Sequence, residues 1–306
     1  MKNMKTAAGM LCLAGILSLG MGTTVFAEDG DSHYPVTITT YNYENEPVEM
    51  TFEKAPEKVF AYANSNIEEL LALGLGDKIV AAYGLDGDVR EDLKDEFDKI
   101  QYMDTKPSKE EVVAMEPDFI AAWYSSFSDD WLSDVSFWQE RDVNTYMSLN
   151  SAAKGPASEF PRTIEDEYED ILNLGKIFDC EDKAEEIVDQ MKGEIDKVKE
   201  HVEGTDPLSV AVLEDEGDSF RVYGTETLGG NIPETLGAEL KLGAENSENV
   251  GAEDLIAADP DVLFMINYDG FMTADEAIAD ITDNPAYASL SAVKNNKVFS
   301  VNLNEV

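Results

Sequence analysis

The sequence predicts an α/β protein of two lobes, each built on a parallel sheet, joined by a long α-helix and leaving a ligand cleft between them. Three observations predict it. Short apolar runs alternate with helical patterns over residues 58–147, and the alternation restarts at 208 and continues to 302. Strand–helix alternation of this kind gives parallel sheets covered on both faces. Between the two stretches a helical pattern runs from about 181 to 201, some 20 residues that span roughly 30 Å, the width of a small domain. Finally, one acidic helix–Pro-Asp–strand pattern occurs twice, once in each stretch, as expected of two lobes of the same design. Each lobe is therefore expected to be Rossmann-like.

The chain opens with Lys2 and Lys5, an apolar run over residues 7–19 without an acidic group, and Val25-Phe26-Ala27. This is a three-part secretory signal over residues 1–27, cleaved after Ala27. The run is short for a hydrocarbon core of about 30 Å, and no later stretch is long and apolar enough to span one. Cys12 lies inside the run and follows Gly9-Met10-Leu11, so the small residue that lipid attachment wants directly before the cysteine is missing. The expectation is an exported protein, periplasmic or at the cell surface, without a lipid anchor. Removal of the signal leaves Cys180 alone, so no intramolecular disulfide forms.

Residues 28–54 form an N-terminal segment in which Val36–Tyr41 and residues 48–52 alternate in polarity around Glu44-Asn45-Glu46-Pro47 and predict a β-hairpin. The N-terminal lobe, 55–160, starts with a strand at 58–63 and a helix at 67–75 capped by Ser65 and Glu68. Strands follow at 78–83, 118–123 and 143–147, and Pro156 and Pro161 close the lobe. A helical linker occupies 161–204. Ile164, Tyr168, Ile171, Leu172 and Leu174 predict an amphipathic helix over 163–178. Ile187, Met191, Ile195 and Val198 predict a second over 181–201, stopped by Gly204 and Pro207. The C-terminal lobe, 205–306, has strands at 208–213, 220–223, 261–266 and 297–302, with helices at 232–240 and 274–281. A parallel lobe usually closes with a helix over its final strand, so this lobe is expected to be truncated.

With 22 basic and 64 acidic residues the formal charge is −42. Such a surface repels nucleic-acid phosphates and anionic headgroups, which excludes nucleic-acid binding. Neither Gly-x-Ser-x-Gly nor His-Glu-x-x-His occurs, and a triad would have to use His33 or His201, both badly placed. Paired carboxylates for glycoside chemistry have no spacing that picks them out. A binding protein, not an enzyme, is expected.

The duplicated pattern reads Glu110-Glu-Val-Val-Ala-Met-Glu-Pro-Asp118-Phe-Ile120 and Glu253-Asp-Leu-Ile-Ala-Ala-Asp-Pro-Asp261-Val-Leu263. Each is a short helix stopped by Pro117 or Pro260, whose preceding residue is forced out of helical geometry. Ser108 before the first copy is an N-cap with Glu111 completing a capping box, and Gly251 holds the same place in the second. With Pro56-Glu-Lys-Val-Phe-Ala, the run from Glu68 to Val80, the helix pair 163–203, Asn284-Pro285-Ala and the run from Val293 to Phe299, the chain over 55–306 resembles the substrate-binding proteins of ABC importers for iron–siderophore complexes, haem and cobalamin. The resemblance implies two lobes held by one rigid helix, and delivery of a small molecule to a membrane permease by a monomer. It also implies that one glutamate per lobe, Glu110 and Glu253, docks on permease arginines. A carboxylate at a helix N-terminus is favoured there by the dipole in any case, so both are also simple first-turn glutamates on the residues alone. The class carries a further C-terminal helix that this chain does not show.

Ligands of open parallel sheets sit outside the carboxyl ends of the strands. The candidate ligand-binding residues are therefore Tyr62, Asn64, Ser65, Tyr83, Trp123, Tyr124 and Ser125 in the first lobe, with Arg221, Asn267 and Tyr268 in the second; the loop beyond Tyr268 includes Asp269. Aromatic, hydroxyl and amide groups suit a bulky ligand with a polar rim. Trp131 and Trp138 fit packing under a long loop equally well, and Arg221 fits either an anionic chelate or a neighbouring carboxylate. With histidine only at 33 and 201, imidazole ligation in the cleft is not expected and tyrosine ligation is the alternative left open; no cofactor or protein-held metal is expected. A metal wrapped in its own chelator needs no protein ligand, which favours an iron–siderophore complex over cobalamin or haem.

Overall fold

A computed structural model describes residues 33–151, 162–243, 249–268 and 272–303. The signal sequence with Cys12, Pro156, Pro161 and Asp269 lie outside the described residues. The first hairpin pairs β1 (Val36–Tyr41) antiparallel to β2 (Pro47–Phe52), with Ile38 opposite Met50. Its inward side chains Ile38, Met50 and Phe52 are buried. Thr40 Oγ1 accepts a hydrogen bond from the Met147 amide at 3.0 Å, which seats the hairpin beside the first lobe.

The alternation of residues 58–147 builds one sheet. Its elements are β3 (Val59–Tyr62), α1 (Asn64–Ala72), β4 (Ile79–Tyr83), α2 (Lys94–Phe97), α3 (Lys109–Ala114), β5 (Phe119–Ala122), α4 (Val135–Gln139) and β6 (Asn144–Met147). The strand order is β4-β3-β5-β6, all parallel. These strands are apolar on both faces because helices cover both, and Val59, Phe60, Phe119 and Ile120 are fully buried. Truncating one of the larger members would leave a cavity costing about 3–5 kcal/mol.

Two long helices follow. In α5 (Ile164–Phe178) the stripe Tyr168, Ile171, Leu174, Ile177 and Phe178 enters the core of the first lobe. Thr163 and Asp166 form its capping box. The chain turns at Asp179, in the left-handed region at φ 54, and enters α6 (Glu181–Val202). Only Ala184 and Val188 of α6 are fully buried, while Ile187 and Met191 pack against the same core and Lys192 Nζ lies over the Tyr168 ring of α5 at 4.9 Å. The region 161–204 therefore divides: α5 is an element of the first lobe, and α6, about 33 Å long at 1.5 Å per residue, makes the crossing alone.

The second lobe holds β7 (Ser209–Asp215), β8 (Phe220–Val222), α7 (Leu228–Thr235), β9 (Glu239–Leu240), α8 (Ala252–Ala258), β10 (Val262–Asn267), α9 (Ala274–Thr282), α10 (Ser291–Lys294) and β11 (Val298–Asn302). The parallel path β9-β7-β10-β11 repeats the topology of the first lobe, and β8 adds an antiparallel strand on the upper part of β7. The repeat is also atomic. Glu116 and Asp259, each before its proline, take positive φ of 52 and 42. The Asp118 carboxylate accepts the amides of Glu57 and Lys58 at the start of β3, and the Asp261 carboxylate accepts the amide and hydroxyl of Ser209 at the start of β7.

Three expectations are corrected. The helix after β3 begins at Asn64 rather than 67, and Ser65 with Glu68 forms no capping box; Ser65 Oγ instead accepts from Trp123 Nε1 at 3.1 Å and Glu68 accepts the Arg90 amide. The helix expected at 232–240 starts at Leu228, because Thr227 Oγ1 caps the Gly230 amide. It stops at Thr235, and Glu239–Leu240 pairs with β7 as a strand.

Candidate functional site

The carboxyl end of the first sheet is an aromatic wall. Tyr62 ends β3 and Tyr83 ends β4; in adjacent parallel strands the two share a face, and their rings stack at 5.9 Å with planes 21° apart. Trp123, one residue past β5, meets the Tyr62 ring edge-on at 6.2 Å, and its indole nitrogen donates to Ser65. Trp131 meets Tyr62 at 4.7 Å and Tyr83 at 6.0 Å, both near perpendicular. Lys106 Nζ lies over the Trp131 ring at 4.2 Å, a cation–π contact. Beside this group Tyr124 stacks on Tyr43 of the hairpin at 6.0 Å. Ser125 is exposed on the short 3₁₀ turn Tyr124–Phe127.

Local backbone geometry permits the wall. The turn after Tyr62 passes through Ala63 at φ 73. Gly84 has φ +88, and a β-carbon there would stand 2.3 Å from Tyr62 Cε2; only glycine lets the ring lie across it. Asn64 differs from its expected role. It is 3 % exposed, its Oδ1 accepts the Asp86 amide and its Nδ2 donates to the Gly87 carbonyl. Asn64 thus shapes the loop behind the wall rather than lining it. Trp138 is a core residue, 1 % exposed, with its indole nitrogen donating to the Leu132 carbonyl.

The second lobe presents a more polar wall. The Tyr223 hydroxyl donates to Glu214 at 2.9 Å, and Arg221 Nη1 lies 3.7 Å from the same carboxylate with its guanidinium 5.4 Å from the Tyr223 ring. Of the two roles the sequence left to Arg221, the structure shows the carboxylate pairing. Asn267, at the end of β10, is buried and accepts the Ser300 hydroxyl of β11 at 2.6 Å. Tyr268 follows it, half-buried, and bridges back to Met272.

The lobes meet at identifiable points. The Arg162 amide donates to the Glu226 carbonyl, and the Ile164 amide donates to Asn231 Oδ1 of α7. A β-carbon on Gly87 would stand 2.8 Å from Asn302 Nδ2 at the end of β11, so the loop after β4 and the last strand of the other lobe touch. The carboxyl ends of both sheets therefore converge. A cavity of about 600 Å³ opens beside Ser65, between α1 and α6, and is lined by charged groups such as Glu68, Glu69, Glu167 and Arg90.

Electrostatics set the chemistry of the wall. Burial, with the nearby Asp86 charge and Tyr83, pushes the Tyr62 hydroxyl up to about 12. Burial also raises the Asp86 carboxyl. Burial and the Glu214 charge raise Tyr223. Both tyrosines stay protonated and act as hydrogen-bonding aromatic surfaces rather than phenolates.

Glu110 and Glu253 occupy matching sites, each the second residue of its helix, α3 or α8. Both are exposed, and no hydrogen bond or ion pair engages either among the described residues. Ser108 and Glu111 form the expected capping box, and the Gly251 amide donates to Asp254 in the second lobe. Each helix runs back toward the start of the next strand, so its first turn lies at the level of the strand carboxyl ends.

Two parallel-sheet lobes of one topology, bridged by a single long helix and converging at their strand ends, define a protein that holds its ligand between domains. A family model described as periplasmic binding protein matches residues 59–302, and the chain belongs to that family. It is similar to the crystal structure of a periplasmic binding protein from Veillonella parvula DSM 2008, with 32 % identity and a TM-score of 0.81 over 89 % of this chain and 85 % of that one. An uncharacterized ABC transporter substrate-binding lipoprotein of Bacillus subtilis (strain 168) is 24 % identical over 97 % of this chain and 90 % of its own length. A petrobactin-binding protein of the same organism is 24 % identical over 80 % and 74 %.

Trp131 and Lys106 join the wall without a sequence signal that separates them from packing residues. Trp131 reaches Tyr62 and Tyr83 only because the loop after β5 folds back, and Lys106 reaches the wall only through the Trp131 ring.

Proposed function

We propose that this chain captures a ferric chelate between its lobes and delivers it to the permease of an ABC importer, docking through Glu110 and Glu253. The observation that carries this is the aromatic wall of protonated tyrosines. Tyr62 presents its ring, packed against Tyr83, Trp123 and Trp131, as aromatic surface, and His33 and His201 lie away from it, against the α5–α6 turn and on α6. Iron arriving with its ligand shell complete needs only apolar and hydrogen-bonding surface. The Bacillus subtilis relatives are an ABC transporter substrate-binding lipoprotein and a petrobactin-binding protein, which supports the same reading. Arg221 is engaged by Glu214 and Asp86 borders Tyr62, so a chelate of little net negative charge suits the cleft better than a polyanion. No covalent chemistry is assigned. Export through the signal at 1–27 belongs to the same proposal.

The test is quenching of tryptophan fluorescence by a ferric trihydroxamate, ferric citrate, cyanocobalamin and haemin, together with native mass spectrometry of protein recovered from spent medium. Submicromolar binding of the trihydroxamate, above citrate, is expected. A retained corrinoid or haem, or no binding of any iron chelate, sinks the reading.

A further inference from the structure

Away from the wall, the first described residue makes a set of contacts that the binding role does not use. His33 sits on the turn between α5 and α6, at the amino edge of the first sheet, where Phe178 packs edge-on against Phe119, the first residue of β5. His33 Nε2 lies 2.7 Å from the Lys176 carbonyl oxygen. A carbonyl only accepts, so Nε2 carries the hydrogen. The other ring nitrogen, Nδ1, then faces two carboxylates, Asp179 at 3.4 Å and Glu181 at 3.2 Å. A bare lone pair against two anions is repulsive, so a cation has to stand between them: either a proton on Nδ1 or a metal ion.

Three features favour the metal. A ring nitrogen donating to a backbone carbonyl while the other faces outward is the arrangement that orients metal-binding histidines. A tetrahedral ion with bonds of about 2.1 Å has ligand–ligand edges of about 3.4 Å, and the two nitrogen–oxygen separations fall at 3.2 and 3.4 Å. The three ligand atoms all lie within 4.8 Å of one another, and the exposed Asp179 and half-buried Glu181 side chains can swing to close the remaining gap. The ring itself is locked. Tyr34 packs edge-on against it at 4.6 Å and donates its hydroxyl to the Ile177 carbonyl at 2.8 Å. Asp179 is fixed in position by its left-handed backbone at the end of α5.

We propose that His33, Asp179 and Glu181 form a binding site for a divalent transition-metal ion of the zinc type, separate from the ligand cleft, that clips the start of the chain to the α5–α6 turn. One imidazole and two carboxylates neutralise a doubly charged ion and leave a fourth position for water. Cys180 lies between the two carboxylates in sequence and is half-buried, its thiol raised by burial first and by the Glu181 and Asp179 charges; it is not needed as a ligand.

The test uses the untagged chain without residues 1–27 and cobalt(II) as the probe, because tetrahedral cobalt absorbs in the visible. The expected result is one equivalent of cobalt with a tetrahedral spectrum, displaced by zinc, and a zinc-dependent rise in Tm. His33→Ala and the double variant Asp179→Asn, Glu181→Gln should each weaken cobalt binding by at least about tenfold and lose the zinc-dependent rise. Trp fluorescence titration with a ferric chelate should be unchanged in both. No tetrahedral spectrum in the unmodified chain, or equal binding by His33→Ala, overturns the proposal and leaves an ordinary ion pair.

Discussion

Placing a methyl on Gly84 tests the aromatic wall most directly. The backbone there has φ +88, and the new carbon would stand 2.3 and 2.6 Å from Cε2 and Cδ2 of Tyr62. Alanine in left-handed geometry costs about 1–2 kcal/mol, and forcing a carbon into an occupied contact costs about 1–3 kcal/mol more. Gly84→Ala should therefore lower stability by about 2–5 kcal/mol. Part of that cost belongs to the ring and not to the backbone. In a Tyr62→Ala background the overlap disappears and Gly84→Ala should cost only about 1–2 kcal/mol. The assay is a double-mutant cycle by urea unfolding, reading midpoints at unchanged slope. Additive costs, within about 0.5 kcal/mol, would show that the Tyr62 ring does not lie across Gly84 and would remove the geometric basis of the wall.

Tyr62→Ala and Trp123→Ala should each weaken ferric-chelate binding by about tenfold, the loss of roughly 1.4 kcal/mol of aromatic contact, with far-UV circular dichroism unchanged; undiminished affinity in both would move the ligand elsewhere. Glu110→Ala combined with Glu253→Ala should leave chelate affinity intact and abolish stimulation of the importer's ATPase, and lost affinity in that variant would assign the carboxylates to the cleft. Burial first raises Glu69, Glu167 and Asp170; the Asp170 and Glu167 charges raise Glu69 further, the Glu167 charge raises Asp170, and the Asp166 charge raises Glu167, while Glu69 Oε2 is sealed from solvent without a hydrogen-bond partner. A carboxyl whose folded pKa lies above its unfolded value favours folding while protonated and costs stability as pH rises through the folded value. Glu69→Gln should then raise the urea midpoint at about pH 8 and lose that advantage below the ordinary carboxylate range; an equal or lower midpoint at pH 8 refutes the account. Because α6 is one continuous helix, small-angle scattering should show closure of a few degrees on ligand binding, and a large fall in radius would contradict a rigid bridge.

Much of this architecture was legible in the residues. The strand–helix alternation, the hairpin and the two long helices rest on local apolar periodicity, which a chain of this length displays before it folds. The duplicated Pro-Asp pattern located the equivalent strands, and the structure adds its reason: Asp118 and Asp261 each tie down the start of the strand next to their own. Elements failed where local signals misled. Ser65 and Glu68 have the spacing of a cap, yet both side chains are claimed by partners distant in sequence, Trp123 and the Arg90 amide. The turn-like Leu228-Gly229-Gly230 starts a helix because Thr227 caps it.

The site divides in the same way. The sequence by itself determined that the protein is an acidic, two-lobed binder with aromatic residues at its strand ends and a glutamate on each duplicated helix. Only the tertiary structure decided which of those residues act together. It stacked Tyr62 on Tyr83, brought Trp131 onto them and Lys106 over Trp131, turned Asn64 inward to hold a loop, gave Arg221 to Glu214, and set His33 against Asp179 and Glu181. The physical reason is that periodicity and caps are read within a few residues, whereas each of these contacts joins segments that only the packed sheets and helices bring within a few ångströms.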